Sequence, residues 1–176
     1  GVSNPFAMPT QFSNVILIVE EKKLHVSKEL LAMHSPVFAA LFFGEFALNG
    51  KDKLGLNDIV YEEFVDLLNV IHPSLTPITE LSVPYILKLS VQFQMRGVVA
   101  LCENFLKATT QFNIGEKMMY ADNYNLHELK NHCLQSIPHV YGLHEITSSP
   151  EYDNFSDAMK VSICDRMRDL LAAHNS

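Results

Sequence analysis

The hydrophobic pattern is densest over residues 14–43, where NVILIVEEKKLHVSKELLAMHSPVFAALFF runs through five predicted elements with almost no slack. Val15–Val19 is an unbroken, β-branched apolar run, the pattern of a strand buried on both faces. Glu20-Glu21-Lys22-Lys23 reads as a charged turn, and Leu24-His25-Val26 alternates as a short return strand does. Ser27 can cap the next helix through its hydroxyl, with Leu30, Leu31 and His34 along one side. Pro36 suits the first turn of a second helix, where its missing N–H has no partner to lose.

Later segments follow helical spacing. Gly44 to Gly50 is a loop by its Gly and Asn content, and residues 51–56 are weakly patterned, with Leu54 and Leu56 alternating around Gly55. Phe64, Leu67, Leu68 and Ile71 form a narrow apolar face that His72-Pro73 ends. After a Pro/Thr connector, Ser82 and Pro84 open a helix predicted to reach about Met95, with a break at Gly97. Val98, Leu101, Cys102, Phe105 and Leu106 carry the next one. Asn113 can cap a helix over 114–122, and Leu126, Leu129, Cys133, Leu134 and Ile137 line another. Residues 138–156 read as a looser segment before a last helix over 157–172 bearing Met159, Ile163, Met167 and Leu170. Residues 1–11, with Pro5 and Pro9 four apart, form an extended arm. Gly1-Val2-Ser3 has the look of a cloning remnant, so more chain is expected upstream.

Composition narrows the function classes. The 176 residues suffice for one large domain, or for a domain of about 100 residues with an appendix. A net charge of −7 without a basic stripe argues against nucleic acid. No apolar run approaches the ~20 residues of a membrane-spanning helix, and no secretory signal pattern is visible. Cys102, Cys133 and Cys164 form no CxxC pair, so they read as reduced cysteines serving as small apolar residues in the cytoplasm or nucleus. The eight histidines join no known catalytic or metal-binding spacing; His127 and His132 are five apart on one helix. Glu20-Glu21 and Glu62-Glu63 are adjacent pairs that diverge, unlike converging acid–base carboxylates. The sequence therefore points away from an enzyme and calls for no catalytic, cofactor-binding or metal residue.

The order of elements and the string LHVSKELLAMHSPVFAALF resemble the opening of a BTB (POZ) domain. Leu24, Lys28, Leu30, Leu31, Ala32, Ser35, Phe38 and Leu41 occupy that family's recurrent positions, with Asn14 where Asp is usual and Ser27 where His is common. YEEF, LKLSVQF and CENFL are similar to the family's later helices, and ADNYNLHELKNHCL resembles the 3-box or start of a BACK domain in cullin-binding adaptors. The closest flavour is the MATH–BTB class. The resemblance implies an α+β fold, a short three-stranded sheet flanked by helices over 12–108, with residues 51–56 as third strand and an all-helical extension over 109–176.

The same resemblance implies a homodimer that binds the N-terminal region of cullin-3, while a domain outside this chain holds the substrate. It places the cullin contact at Phe46-Ala47-Leu48, where Leu48 replaces the motif glutamate, and Phe43-Gly44-Glu45 spells the motif three residues earlier. Phe43, Glu45, Phe46 and Leu48 are the expected cullin-binding residues; Phe6, Met8, Leu30 and Met33 are the expected dimer contacts. Phe42 and Phe43 at a helix end read first as core, and Phe46 in a Gly-flanked loop is the better partner candidate. Leu30 and Met33 suit core packing as well as a dimer face. The alternative is an interaction scaffold that does not bind cullin-3.

Overall fold

A computed structural model describes residues 3–45, 47, 52–73 and 75–176. Its described residues divide into a first unit ending at Cys102 and a second over Glu103–Ser176. In the first unit, β1 (Val15–Val19) is the middle of a three-stranded sheet, antiparallel to β2 (Lys22–Val26) and parallel to β3 (Lys53–Leu56). The hairpin turn is tighter than the charge pattern predicts. Only Glu20 and Glu21 lie outside the strands, both with φ in the left-handed region, as a two-residue type I′ turn demands. One face of β1 is wholly buried through Val15, Leu17 and Val19, while Ile16 and Ile18 on the other are only half-buried. The expectation of burial on both faces is corrected accordingly: only one side of this small sheet meets the core.

Two short helices follow with one serine between them. The Leu30 N–H donates to Ser27 Oγ at the start of α1 (Lys28–His34), as predicted. Ser35 then caps α2 (Pro36–Phe43), whose first residue is the proline. Beneath them lies an aromatic core. Phe38 stacks on Phe93 at 4.8 Å between centroids, and Phe64 meets both rings edge-on. Phe64 comes from α3 (Tyr61–Ile71), which buries nearly its whole second half, a wider face than its spacing suggests. His72 ends that helix.

α4 (Val83–Gln92) stops earlier than predicted, and the break lies at Gln94 instead of Gly97. Gln94 takes φ 54°, its two neighbours Phe93 and Met95 are buried, and Gly97 lies inside α5 (Arg96–Ala108). Burying two large side chains around one reversed residue sets this corner. Ser82 Oγ caps nothing in α4; it accepts the Thr79 N–H instead.

In the second unit, α6 (Ile114–Asn123) opens with a reciprocal capping box between Asn113 and Glu116. α7 (His127–Gln135) buries Leu129, Cys133 and Leu134, with Leu126 and Ile137 buried at its two ends. The segment read as loose contains α8 (Val140–Thr147), held by buried Leu143 and Ile146, and a short 3₁₀ turn over Tyr152–Asn154. The last helix, α9 (Asp157–His174), is capped by Ser156 and buries Met159 and Ile163. Met167 and Leu170 are only half-buried. No helix among the described residues is long and apolar enough to cross a membrane.

Candidate functional site

Two surfaces of the first unit carry the residues singled out from the sequence. The first is the end of α2. Phe42 and Phe43 part company there: Phe42 is half-buried and stacks on Phe38 at 5.8 Å, whereas Phe43 is 58 % exposed. Reading the pair as core therefore holds for Phe42 alone. Gly44 then lets the chain leave the helix tightly. Its N–H donates to the Ala40 carbonyl at 3.0 Å, and a Cβ at this position would lie 2.4 Å from that oxygen. The requirement is one of space, since its φ of −74° is open to any residue. The Ala47 N–H donates to the Gly44 carbonyl at 3.0 Å, and Glu45 is exposed. Phe46 and Leu48 lie outside the described residues.

The second surface surrounds the N-terminal arm. The arm is non-helical, as its prolines require, and it is fastened to its own chain. The Asn69 amide donates to the Ser3 carbonyl, Asn4 donates to the Tyr61 hydroxyl, and the His25 N–H of β2 donates to the Phe6 carbonyl at 2.7 Å. Phe6 is buried with its ring edge-on to His72, so this side chain is taken up inside its own fold. Met8, Phe12 and Met33 remain 71 %, 75 % and 81 % exposed. Between arm and helix runs a groove of about 470 Å³, floored by Phe6, Val26 and half-buried Leu30, with Phe12 on its rim. The family resemblance singled out Met8, Leu30 and Met33 as dimer contacts; Phe12, an aromatic residue between two polar ones in the arm, was not among them.

Among the described residues, no three His, Cys, Asp or Glu side chains stand together as metal ligands. Burial pushes the Cys102 and Cys133 thiols up, to about 12 and about 11, away from the reactive thiolate; Cys164 differs in being exposed. The surfaces offer apolar side chains beside hydrogen-bonded backbone, which suits contact with another protein.

Comparison with known proteins agrees. The BTB/POZ domain family model matches residues 4–110. BTB and MATH domain-containing protein 38 of Caenorhabditis elegans is 37% identical over 161 residues, which cover 92% of this chain and 42% of that protein. Protein 36 of the same series and organism is 32% identical over 143 residues, covering 81% of this chain and 44% of the relative. The chain thus spans less than half the length of these two relatives. Among solved structures, the BTB domain of zebrafish PATZ1 aligns with a TM-score of 0.47 at 24% identity, over 56% of this chain and 78% of that one. The family match begins inside the arm and ends after α5, over well more than half the sequence: the chain belongs to the BTB/POZ domain family.

Proposed function

We propose that this chain is the dimerising and cullin-recruiting part of a substrate adaptor for a cullin-RING ubiquitin ligase. The observation that carries the proposal is Phe43, held exposed at the end of α2 directly before the hydrophobic-x-Glu-like segment, in a BTB chain followed by a second helical unit. On this reading Phe43, Glu45, Phe46 and Leu48 meet the N-terminal region of cullin-3. Residues 109–176 form the 3-box/BACK-like extension that adds contacts beside the BTB domain over 12–108. Met8, Leu30 and Met33 meet a second copy. A domain outside this chain holds the substrate; two relatives are named for a MATH domain beside their BTB domain. Such an adaptor performs no chemistry itself: it raises the effective concentration of substrate near the conjugating enzyme, and a dimer doubles the valency.

Leu48 in place of the motif glutamate favours a second reading, an interaction scaffold without cullin binding. A lost charged hydrogen bond costs ~1.5–3 kcal/mol, about tenfold to a hundredfold in affinity. A buried aromatic anchor carries more than that in many interfaces.

Calorimetric titration with the cullin-3 N-terminal region separates the two readings. The adaptor reading expects binding at tens of micromolar or tighter, weakened at least tenfold by Phe43→Ala or Phe46→Ala. A parent chain that stays silent while Leu48→Glu binds would establish the scaffold. Silence from both would remove cullin-3 from the account.

A further inference from the structure

The two edges of the sheet are unlike. The outer edge of β2 is occupied at His25 by the arm's Phe6 carbonyl and carries Lys22 and Lys23 at its other end. The outer edge of β3 has no neighbouring strand among the described residues. Its hydrogen-bonding register follows from one contact. The Ile16 N–H donates to the Asp52 carbonyl at 2.7 Å, and Ile16 is aligned with Lys53. In a parallel ladder, alternate residues face the same neighbour, so Asp52, Leu54 and Leu56 turn their main chain toward β1. Lys53 and Gly55 turn theirs outward, presenting N–H and C=O groups with no strand opposite among the described residues.

Gly55 is the unusual residue of this edge. A strand-interior glycine weakens the strand and often marks close approach of another backbone. Neither of the usual internal reasons applies here. Its φ does not lie in the left-handed region, and a Cβ built on it meets nothing within 4 Å. Beside it opens a cavity of about 480 Å³ with apolar walls from Ile18, Leu56 and Val60 and carboxylates from Glu20, Glu21 and Asp58. Lys53 is the one cation on β3 and sits at its far end. The Glu20 carboxylate accepts the Tyr61 N–H; Glu21 and Asp58 stay exposed, both held on left-handed turns at the strand ends.

We infer that the free edge of β3 receives an extended, basic segment of a partner protein as an added strand. Main-chain hydrogen bonds to Lys53 and Gly55 supply the pairing, an apolar side chain enters the cavity beside Gly55, and Glu21 and Asp58 meet lysine or arginine. A second copy of this chain is a poor occupant of this edge, because pairing β3 with β3 would bring the exposed Glu21 and Asp58 carboxylates of both copies together.

The test uses the whole 176-residue chain, isotope-labelled, titrated with a synthetic peptide alternating Lys and Val and with its Glu/Val counterpart. Expected are amide shifts at Lys53 and Gly55 with the Lys/Val peptide only, diminishing with added salt. Gly55→Pro removes one outward N–H and no bond to β1, an exchange tolerated on edge strands; it is expected to lose peptide binding while keeping the parent's circular dichroism. Glu21→Gln with Asp58→Asn is expected to weaken binding and leave the fold unchanged. Equal response to both peptides, unmoved Lys53 and Gly55 amides in the parent, or a folded Gly55→Pro that still binds would each overturn the proposal. So would edge amides that shift with chain concentration alone, which identifies a second copy as the occupant.

Discussion

A single hydroxyl, that of Ser35, joins two elements. It accepts the Phe38 N–H at 3.1 Å, capping α2, and donates to the Phe93 carbonyl at 2.6 Å where α4 ends, with the serine wholly buried. Ser35→Ala removes a cap worth ~0.5–2 kcal/mol and leaves a buried carbonyl without its donor, at ~1–3 kcal/mol. Chemical denaturation is expected to show a loss of about 2 kcal/mol or more with an unchanged m-value. The sequence marked Ser35 only through family resemblance, because its second partner lies 58 residues away. The cysteines show the same limit. All three fall at helical positions, yet spacing alone did not separate Cys164 on the outer side of α9 from Cys102 and Cys133 in the core. A thiol reagent at pH 8 is expected to modify one cysteine quickly and three only after denaturation, and Cys164→Ser should abolish the fast phase.

At the scale of elements, the join between β1 and α1 explains a departure from the family pattern. The Asn14 amide donates to both carboxylate oxygens of Glu29, at 2.8 and 3.1 Å, while its Oδ1 accepts the Lys28 N–H at 2.8 Å. A carboxylate at position 14 could accept from Lys28 but would face Glu29 with like charge. Glu29's own main-chain N–H and then the Asn14 amide hold its carboxyl below the usual glutamate range. A lowered folded-state pKa contributes stability above the unfolded value, and that contribution is lost as pH falls through the folded value. Asn14→Asp is therefore expected to lower the unfolding midpoint at pH 7, with the deficit closing as the medium is acidified through the carboxylate range. Thermal melts between pH 7 and pH 3 would read this directly. Elements with several periodic anchors were legible in the sequence, as were capped starts such as Ser27 and Asn113. α8 was not: only Leu143 and Ile146 are buried along it, and Pro138 and Pro150 bracket it like a loop. Gly97 misled for the opposite reason, since helix interiors tolerate glycine and burial of Phe93 and Met95 fixed the corner elsewhere.

For the whole molecule, the groove beside the arm and the exposed Met8, Phe12 and Met33 bear on association. On the dimer reading these side chains are covered by a second copy. Met33→Lys, which places a charge on an 81 % exposed site, is expected to shift sedimentation from dimer to monomer without lowering helicity. A parent chain already monomeric at high micromolar concentration would remove the dimer from the account. The sequence read the arm as extended but left its role open, and the reason is topological. Phe6 packs on His72 and bonds to His25, neighbours that exist only once β2 and the end of α3 are in place. Candidate contacts at the end of α2 were partly legible, because exposure of Phe43 depends on how the chain turns at Gly44.

The unequal edges of the sheet bear on how far any strand pairing can go. A sheet open on both sides is a polymerisable unit: each addition creates a new end, and growth continues into fibres. With Phe6 bonded across β2 and lysines beside it, this sheet has one reactive end and one blocked end. Copies of this domain pairing edge to edge through β3 would therefore stop at two, because the β2 edges left outside are already engaged. The arm acts as the chain terminator that lets the domain keep a sticky edge in concentrated solution without becoming a link in a filament.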